Sequence, residues 1–104
     1  MPQNPLVPQY LNNVLTGKGN KSALNVSAAT VIKAAPGRIC KVNVTTAGST
    51  NGTISDVLTT GAVAAANLVI SIPDTVGSYD VDFPCLVGIV FTPGTGMVAS
   101  ISYV

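Results

Sequence analysis

The sequence predicts an all-β domain, an antiparallel β-sandwich or jelly-roll-like barrel, with an extended N-terminal arm. Three observations carry this. Val occurs 15 times, Thr 11 and Ile 7 among 104 residues, against only 7 Leu. Side chains branched at Cβ are stiff at χ1 and fit a pleated sheet better than a helix. From Lys21 onward, short apolar runs alternate with turn signals about every dozen residues, the rhythm of a sandwich or barrel. Before Lys21 the chain follows another rule, with prolines at 2, 5 and 8. At this length the chain is one domain, able to bury roughly two-thirds of its unfolded surface.

The arm, residues 1–20, resists both helix and central strand, because proline lacks an N–H and pushes the preceding residue to an extended conformation. Pro5, Leu6, Val7, Pro8, Tyr10 and Leu11, followed by Val14 and Leu15, are too apolar for an inert linker. An arm that docks outside its own domain is expected; the competing reading is a disordered terminus.

Residues 21–104 form the sandwich. "ALNVSAATVIKAAPG" supplies one or two strands and stops at Pro36-Gly37. "RICKVNVTT" is expected to place Cys40, Val42 and Val44 on one face. Asn51-Gly52 is the dipeptide of a tight hairpin turn, after which "TISDVLTT" returns. "LVISIP" is a strand ended by Pro73. "SYDVDFP" alternates, with Tyr79, Val81 and Phe83 inward and Asp80 and Asp82 outward. "GIVFTP", the turn Pro93 to Gly96 and "MVASISYV" are expected to close the chain as a hairpin. In the last strand Met97, Ala99, Ile101 and Tyr103 share a face.

Between two of these strands lies "TTGAVAAANLVISIP". A helix at Ala62 to Ala66 would be too short to hold alone. A loop with one helical turn fits better, and its small side chains suit the close approach of another chain. Ala62, Ala64, Ala65 and Ala66 are therefore candidate contacts, together with Pro5, Leu6, Val7, Pro8, Tyr10 and Leu11 of the arm. The alternative for the alanines is a plain surface loop.

The chemistry of an enzyme is missing. There is no histidine, only 9% of residues are charged, and the net charge is +1. Catalysis needs a polarised nucleophile, a proton shuttle or a metal, and no residue set here supplies one. Asp80 and Asp82 stand about 6.6 Å apart along one strand face, a spacing that overlaps paired glycosidase acids and a partial calcium site. A solvated strand face explains the same pattern. Cys40 and Cys85 belong to no metal-binding motif and read as buried thiols. No catalytic, metal or cofactor residues are expected.

With no run of like charges and no apolar stretch near the roughly 20 residues of a membrane span, neither nucleic acid nor membrane is an expected partner. The cations Lys18, Lys21, Lys33, Arg38 and Lys41 precede all four aspartates, a bias read as chance rather than as a handle between subunits. A surface this poor in charge suits permanent contact with other protein.

"ALNVSAATVIKAAPGRICKVNV", "TTGAVAAAN", "SIPDTVG" and "GIVFTPGTGMVASISYV" together resemble small virion structural proteins of tailed bacteriophages, of the head-decoration or head-fibre type. The resemblance spans Lys21 to Tyr103 and contains no catalytic signature. It implies a sandwich bound to a capsid lattice or appendage. The expectation is a non-enzymatic capsid decoration (cement) protein that binds and stabilises the head. It would be assembled in the host cytoplasm, carried on the particle surface and held by the arm. The major capsid protein or another virion protein would be its partner, with further copies of itself as a dimer or trimer. The alternative is a tail- or fibre-associated module that recognises host-surface glycan, disfavoured by 5% aromatics and no tryptophan.

Overall fold

The computed structural model describes residues 19–104, so the arm's candidate contacts, Pro5, Leu6, Val7, Pro8, Tyr10 and Leu11, lie outside the described residues. Eight strands form two antiparallel four-stranded sheets. They are β1 (Lys21–Val26), β2 (Thr30–Lys33), β3 (Gly37–Thr46), β4 (Gly52–Ser55), β5 (Leu68–Ile72), β6 (Gly77–Cys85), β7 (Ile89–Thr92) and β8 (Val98–Tyr103). The first sheet has the order β1-β8-β3-β6 and the second β2-β7-β4-β5. That pair of orders is the jelly roll, the two-sheet solution in which strands alternate between layers.

Alternation between layers corrects two expectations. Asn51-Gly52 makes no hairpin, because β3 and β4 belong to different sheets. Gly52 is buried, and a Cβ there would lie 3.1 Å from Met97 Sδ and 3.1 Å from the Thr92 carbonyl, so close packing rather than a turn selects glycine. Likewise Pro93 to Gly96 joins β7 to β8 across the sandwich instead of closing a hairpin. Gly96 does adopt the left-handed conformation of a turn, at φ 78°. Among consecutive described strands only β4 and β5 pair directly.

The core lies between the sheets. Ile39, Val42, Val44, Met97, Ala99 and Ile101 come from the first sheet and its edge, and meet Ile54, Ile72, Ile89 and Phe91 of the second. Met97, Ala99 and Ile101 share the inner face as expected, and Tyr103 packs against the cluster. The alternation in β3 is different from the expected one. A register shift between Ile39 and Lys41 against both neighbours lets Ile39, not Cys40, join Val42 and Val44 in the core. Across from it, β6 bulges at Asp82, which sits at φ 51°. Tyr79 and Val81 still pack on the core. Phe83, expected inward, stays 45% exposed on this edge strand, because the extra residue breaks the alternation.

The loops divide between two ends. Those after β1, β3, β5 and β7 gather at one end, tied by Gly48 N–H to the Asp74 carbonyl at 3.0 Å and Ser49 N–H to the Thr95 carbonyl at 2.8 Å. The loops after β2, β4 and β6 gather at the other, where both termini of the domain also sit. There Asn20 N–H donates to the Tyr103 carbonyl at 3.1 Å, and Arg38 and Val104 exchange bonds of 3.2 and 2.9 Å. Residue 19 enters at this second end, called the arm end below.

Candidate interaction surface

The arm end is organised by Asp56, the first residue after β4. Its carboxylate accepts the N–H groups of Leu86, Val87 and Gly88 at 3.0, 2.8 and 3.1 Å. Desolvation pushes this carboxyl up, but the three amides together outweigh it and hold its pKa below the ordinary carboxylate value. Gly88 is required at the clamp, since a Cβ there would press on the Val57 carbonyl oxygen. With its amides turned toward Asp56, the loop leaves Leu86 76% and Val87 46% exposed.

Asp56 also starts the alanine-rich loop, its own N–H donating to the Asn67 carbonyl at 2.9 Å. The loop holds two 3-10 turns, Thr60–Ala62 and Ala65–Asn67, where the sequence suggested a single helical turn. Asn67 braces it from inside. Its Oδ1 accepts the Ala64 N–H at 3.0 Å and its Nδ2 donates to the Ala62 carbonyl at 3.0 Å. Ala62, Ala64, Ala65 and Ala66 are all exposed.

Ala64 and Ala65 face a cleft. With Val63, Leu68, Thr53 and Ser55 they line a volume of about 260 Å³. Strand alternation identifies its floor. Ile54 and Phe91 pair and point into the core, so their neighbours Ser55 and Val90, which also pair, point to the outer face of the second sheet. Both are nevertheless fully buried. Because β4 and β5 are neighbours in one sheet, the connection between them need not cross the sandwich, and it folds over that outer face instead. A register shift between Ile54 and Ser55 against β5 turns Leu68 out to form the cleft's wall, 47% exposed. The Ser55 hydroxyl at its floor is buried and has no hydrogen-bond partner among the described residues.

Two ion pairs form across one strand pair of the described residues. Arg38 Nε lies 2.7 Å from Asp82 Oδ1, and Lys41 Nζ lies 3.6 Å from Asp80 Oδ1, both across the β3–β6 pair. The bond to Arg38 holds the Asp82 carboxyl below its ordinary value and raises the guanidinium's. Asp80 and Asp82, the spacing weighed for acid pairs or calcium, thus each face a cation. Cys40 and Cys85 are both buried. Burial, helped by the negative charge of Asp56, pushes the Cys85 thiol up to about 11, and burial raises Cys40 as well.

Sequence reasoning singled out the alanines but missed Asp56, Ser55, Asn67 and the Leu86-Val87 pair. The partners of Asp56 are 30 to 32 residues away, so no local pattern marks it. Leu86 and Val87 fall between the runs "SYDVDFP" and "GIVFTP" and carry no signal of their own. Of nine large apolar side chains exposed among the described residues, Leu58, Val63, Leu68, Phe83, Leu86 and Val87 belong to the arm end. Comparison with protein-family models, curated proteins and solved structures gives no match.

Proposed function

We propose that this chain is a non-enzymatic structural protein of a phage virion, a capsid decoration unit that binds and stabilises the head lattice. The observation that carries the reading is the concentration at one end of six of the nine exposed large apolar side chains among the described residues. Leu58, Leu86 and Val87 crowd the arm end, and Asp56 fixes two of them outward through backbone bonds. A solitary domain gains nothing by fastening a leucine and a valine into water; a unit that buries them against a partner does. Support also comes from the jelly-roll order, an architecture recurrent in viral capsid proteins, although lectins and cupins share it. The partner in this reading is the major capsid protein, contacted through the arm end, with further copies of the chain alongside.

The test is electron microscopy of particles assembled with and without this protein. A lattice-periodic surface density that disappears with the protein, and returns when it is added back, is the expected result. Density at a few tail sites instead would favour the tail-associated glycan-binding alternative. Particles with no trace of the protein would overturn the virion reading altogether.

A further inference from the structure

Asn51-Gly52 makes no hairpin, so the dipeptide is left without the role its sequence suggests. We propose that it is a latent modification site, held shut by the fold, at which Asn51 converts itself to aspartate and isoaspartate once the β3–β4 connection opens. This does not depend on the virion reading, since it concerns only the chemistry of one peptide bond.

The chemistry is that of a side-chain amide next to an unhindered backbone nitrogen. The Gly52 nitrogen gives up its proton to hydroxide and attacks Cγ of Asn51. A C–N bond forms, the bond from Cγ to Nδ2 breaks, and the released nitrogen takes a proton from water and leaves as ammonia. The product is a five-membered cyclic imide. Water then adds across one of its two ring C–N bonds. Opening at Cγ leaves aspartate in an ordinary chain. Opening at the backbone carbonyl leaves isoaspartate, in which the chain runs through the side chain and is one methylene longer. Of the eight asparagines in the sequence only Asn51 precedes glycine. Every other is followed by a side chain that crowds the attack or, at Asn4, by a proline with no N–H to lose.

The structure leaves Asn51 exposed but fixes both of its neighbours. Closing the imide ring needs rotation about the Asn51 Cα–C bond, which swings Gly52 relative to Thr50. Thr50 is held from the β7–β8 loop. Its Oγ1 accepts the Thr95 N–H at 2.9 Å, and its carbonyl lies so close to Gly94 that a Cβ there would overlap it. One residue earlier, Ser49 donates its N–H to the Thr95 carbonyl at 2.8 Å. Gly52 is buried and paired with Ile72 of β5, with Met97 and the Thr92 carbonyl against its open side. Neither neighbour can follow the rotation while the two sheets stay packed, so the ring closes in chains that have opened. Isoaspartate then opposes the return. Its extra methylene lengthens the chain between Thr50 and Gly52, two residues whose places the packing fixes, so the modified chain refolds less stably.

The experiment holds the full chain at mildly alkaline pH, folded and in parallel in guanidinium chloride above its unfolding midpoint. Mass spectrometry follows the proteolytic peptide that contains residue 51, and an isoaspartyl methyltransferase labels the isoaspartate in it. In denaturant Asn51 is expected to lose its amide, with isoaspartate among the products. Asn51→Gln is expected to suppress the change, because its longer side chain closes a six-membered ring more slowly. In the folded chain the loss is expected to be at least about tenfold slower, since it waits on local opening. Gly94→Ala displaces the loop that holds Thr50 and is expected to speed the loss in the folded state. Where that variant fails to fold, denaturant below the midpoint takes its place, and the rate should climb with the fraction of opened chain. A folded chain that loses the amide as fast as the unfolded one overturns the lock, as does a rate that neither Gly94→Ala nor mild denaturant raises. An unfolded chain that keeps Asn51 intact overturns the site itself.

Discussion

The carboxylate of Asp56 lies 2.8 Å from the amide nitrogen of Val87, a bond between residues 31 apart in the chain. It joins the end of β4 to the loop between β6 and β7, and the neighbouring amides of Leu86 and Gly88 close on the same side chain. One carboxylate thereby does what would otherwise take a turn of backbone: it satisfies three N–H groups in a loop too short to pair them itself. The loop's apolar side chains are outward because its donors are inward.

Replacing Asp56 by Asn tests the clamp. Asparagine keeps the size but offers one acceptor oxygen and no charge, so a loss of about 1–3 kcal/mol is expected. Urea unfolding measures it. Hydrogen exchange should accelerate at Leu86, Val87 and Gly88 while the core amides of β3 and β8 keep their protection.

The dependence on acid follows from the direction of the same shift. Asp56 and Asp82 both have folded pKa values below the ordinary one. Their contribution is complete above the unfolded value of about 3.9 and is lost as pH falls through the lower folded values. With no histidine in the chain, no side chain titrates between pH 5 and 8 at its ordinary value. Stability should be level over that window and fall below about pH 4, and Asp56→Asn should flatten the acid limb. A slope between pH 6 and 7 would contradict this account.

Cys85 has the opposite sign. Its thiol is pushed up to about 11, so the folded chain holds a proton that the unfolded chain releases earlier. Stability carried by this group is present below the unfolded pKa of about 8.5 and is lost as pH rises toward the folded value. At pH 8, iodoacetamide should label Cys85 only as fast as the chain opens, and urea should accelerate labelling in step with unfolding. Rapid labelling of the folded protein at Cys85 would show that the thiol is not sequestered.

Two glycines give a controlled comparison. A Cβ on Gly94 would stand on top of the Thr50 carbonyl oxygen, whereas one on Gly61 meets nothing within 4 Å. Gly94→Ala must therefore displace the loop that ties β7 to the β3–β4 connection, and a loss of about 1–3 kcal/mol is expected. Gly61→Ala should be neutral or stabilise by up to about 1 kcal/mol, through the unfolded state. Thermal melts of the two variants decide the matter directly.

Most strands were legible because their signals are local. Pro36 and Pro73 stop the runs they were expected to stop, and the alternation from Met97 to Tyr103 carries straight into the core. Turn residues misled at Asn51-Gly52 and Pro93 to Gly96, since a turn signal marks where the chain reverses and not which strand it then pairs with. Phe83 and Cys40 misled for a related reason: one extra residue at a bulge undoes a period of two from that point on. Among the candidate contact residues, the alanines showed themselves by composition, whereas Ser55 looked like any serine at a strand's end.

By itself, then, the sequence determined the class of fold, the poverty of charge and the separateness of the alanine loop, because β-branching, ionisable groups and small side chains are properties of residues taken singly or in short runs. The tertiary structure decided the assignment of strands to sheets, the clamp of Asp56 on Leu86 to Gly88 and the cleft over Ser55. Each of these joins segments that only the packing of two sheets brings together, and the free energy that fixes them is the burial of the shared core rather than any local preference.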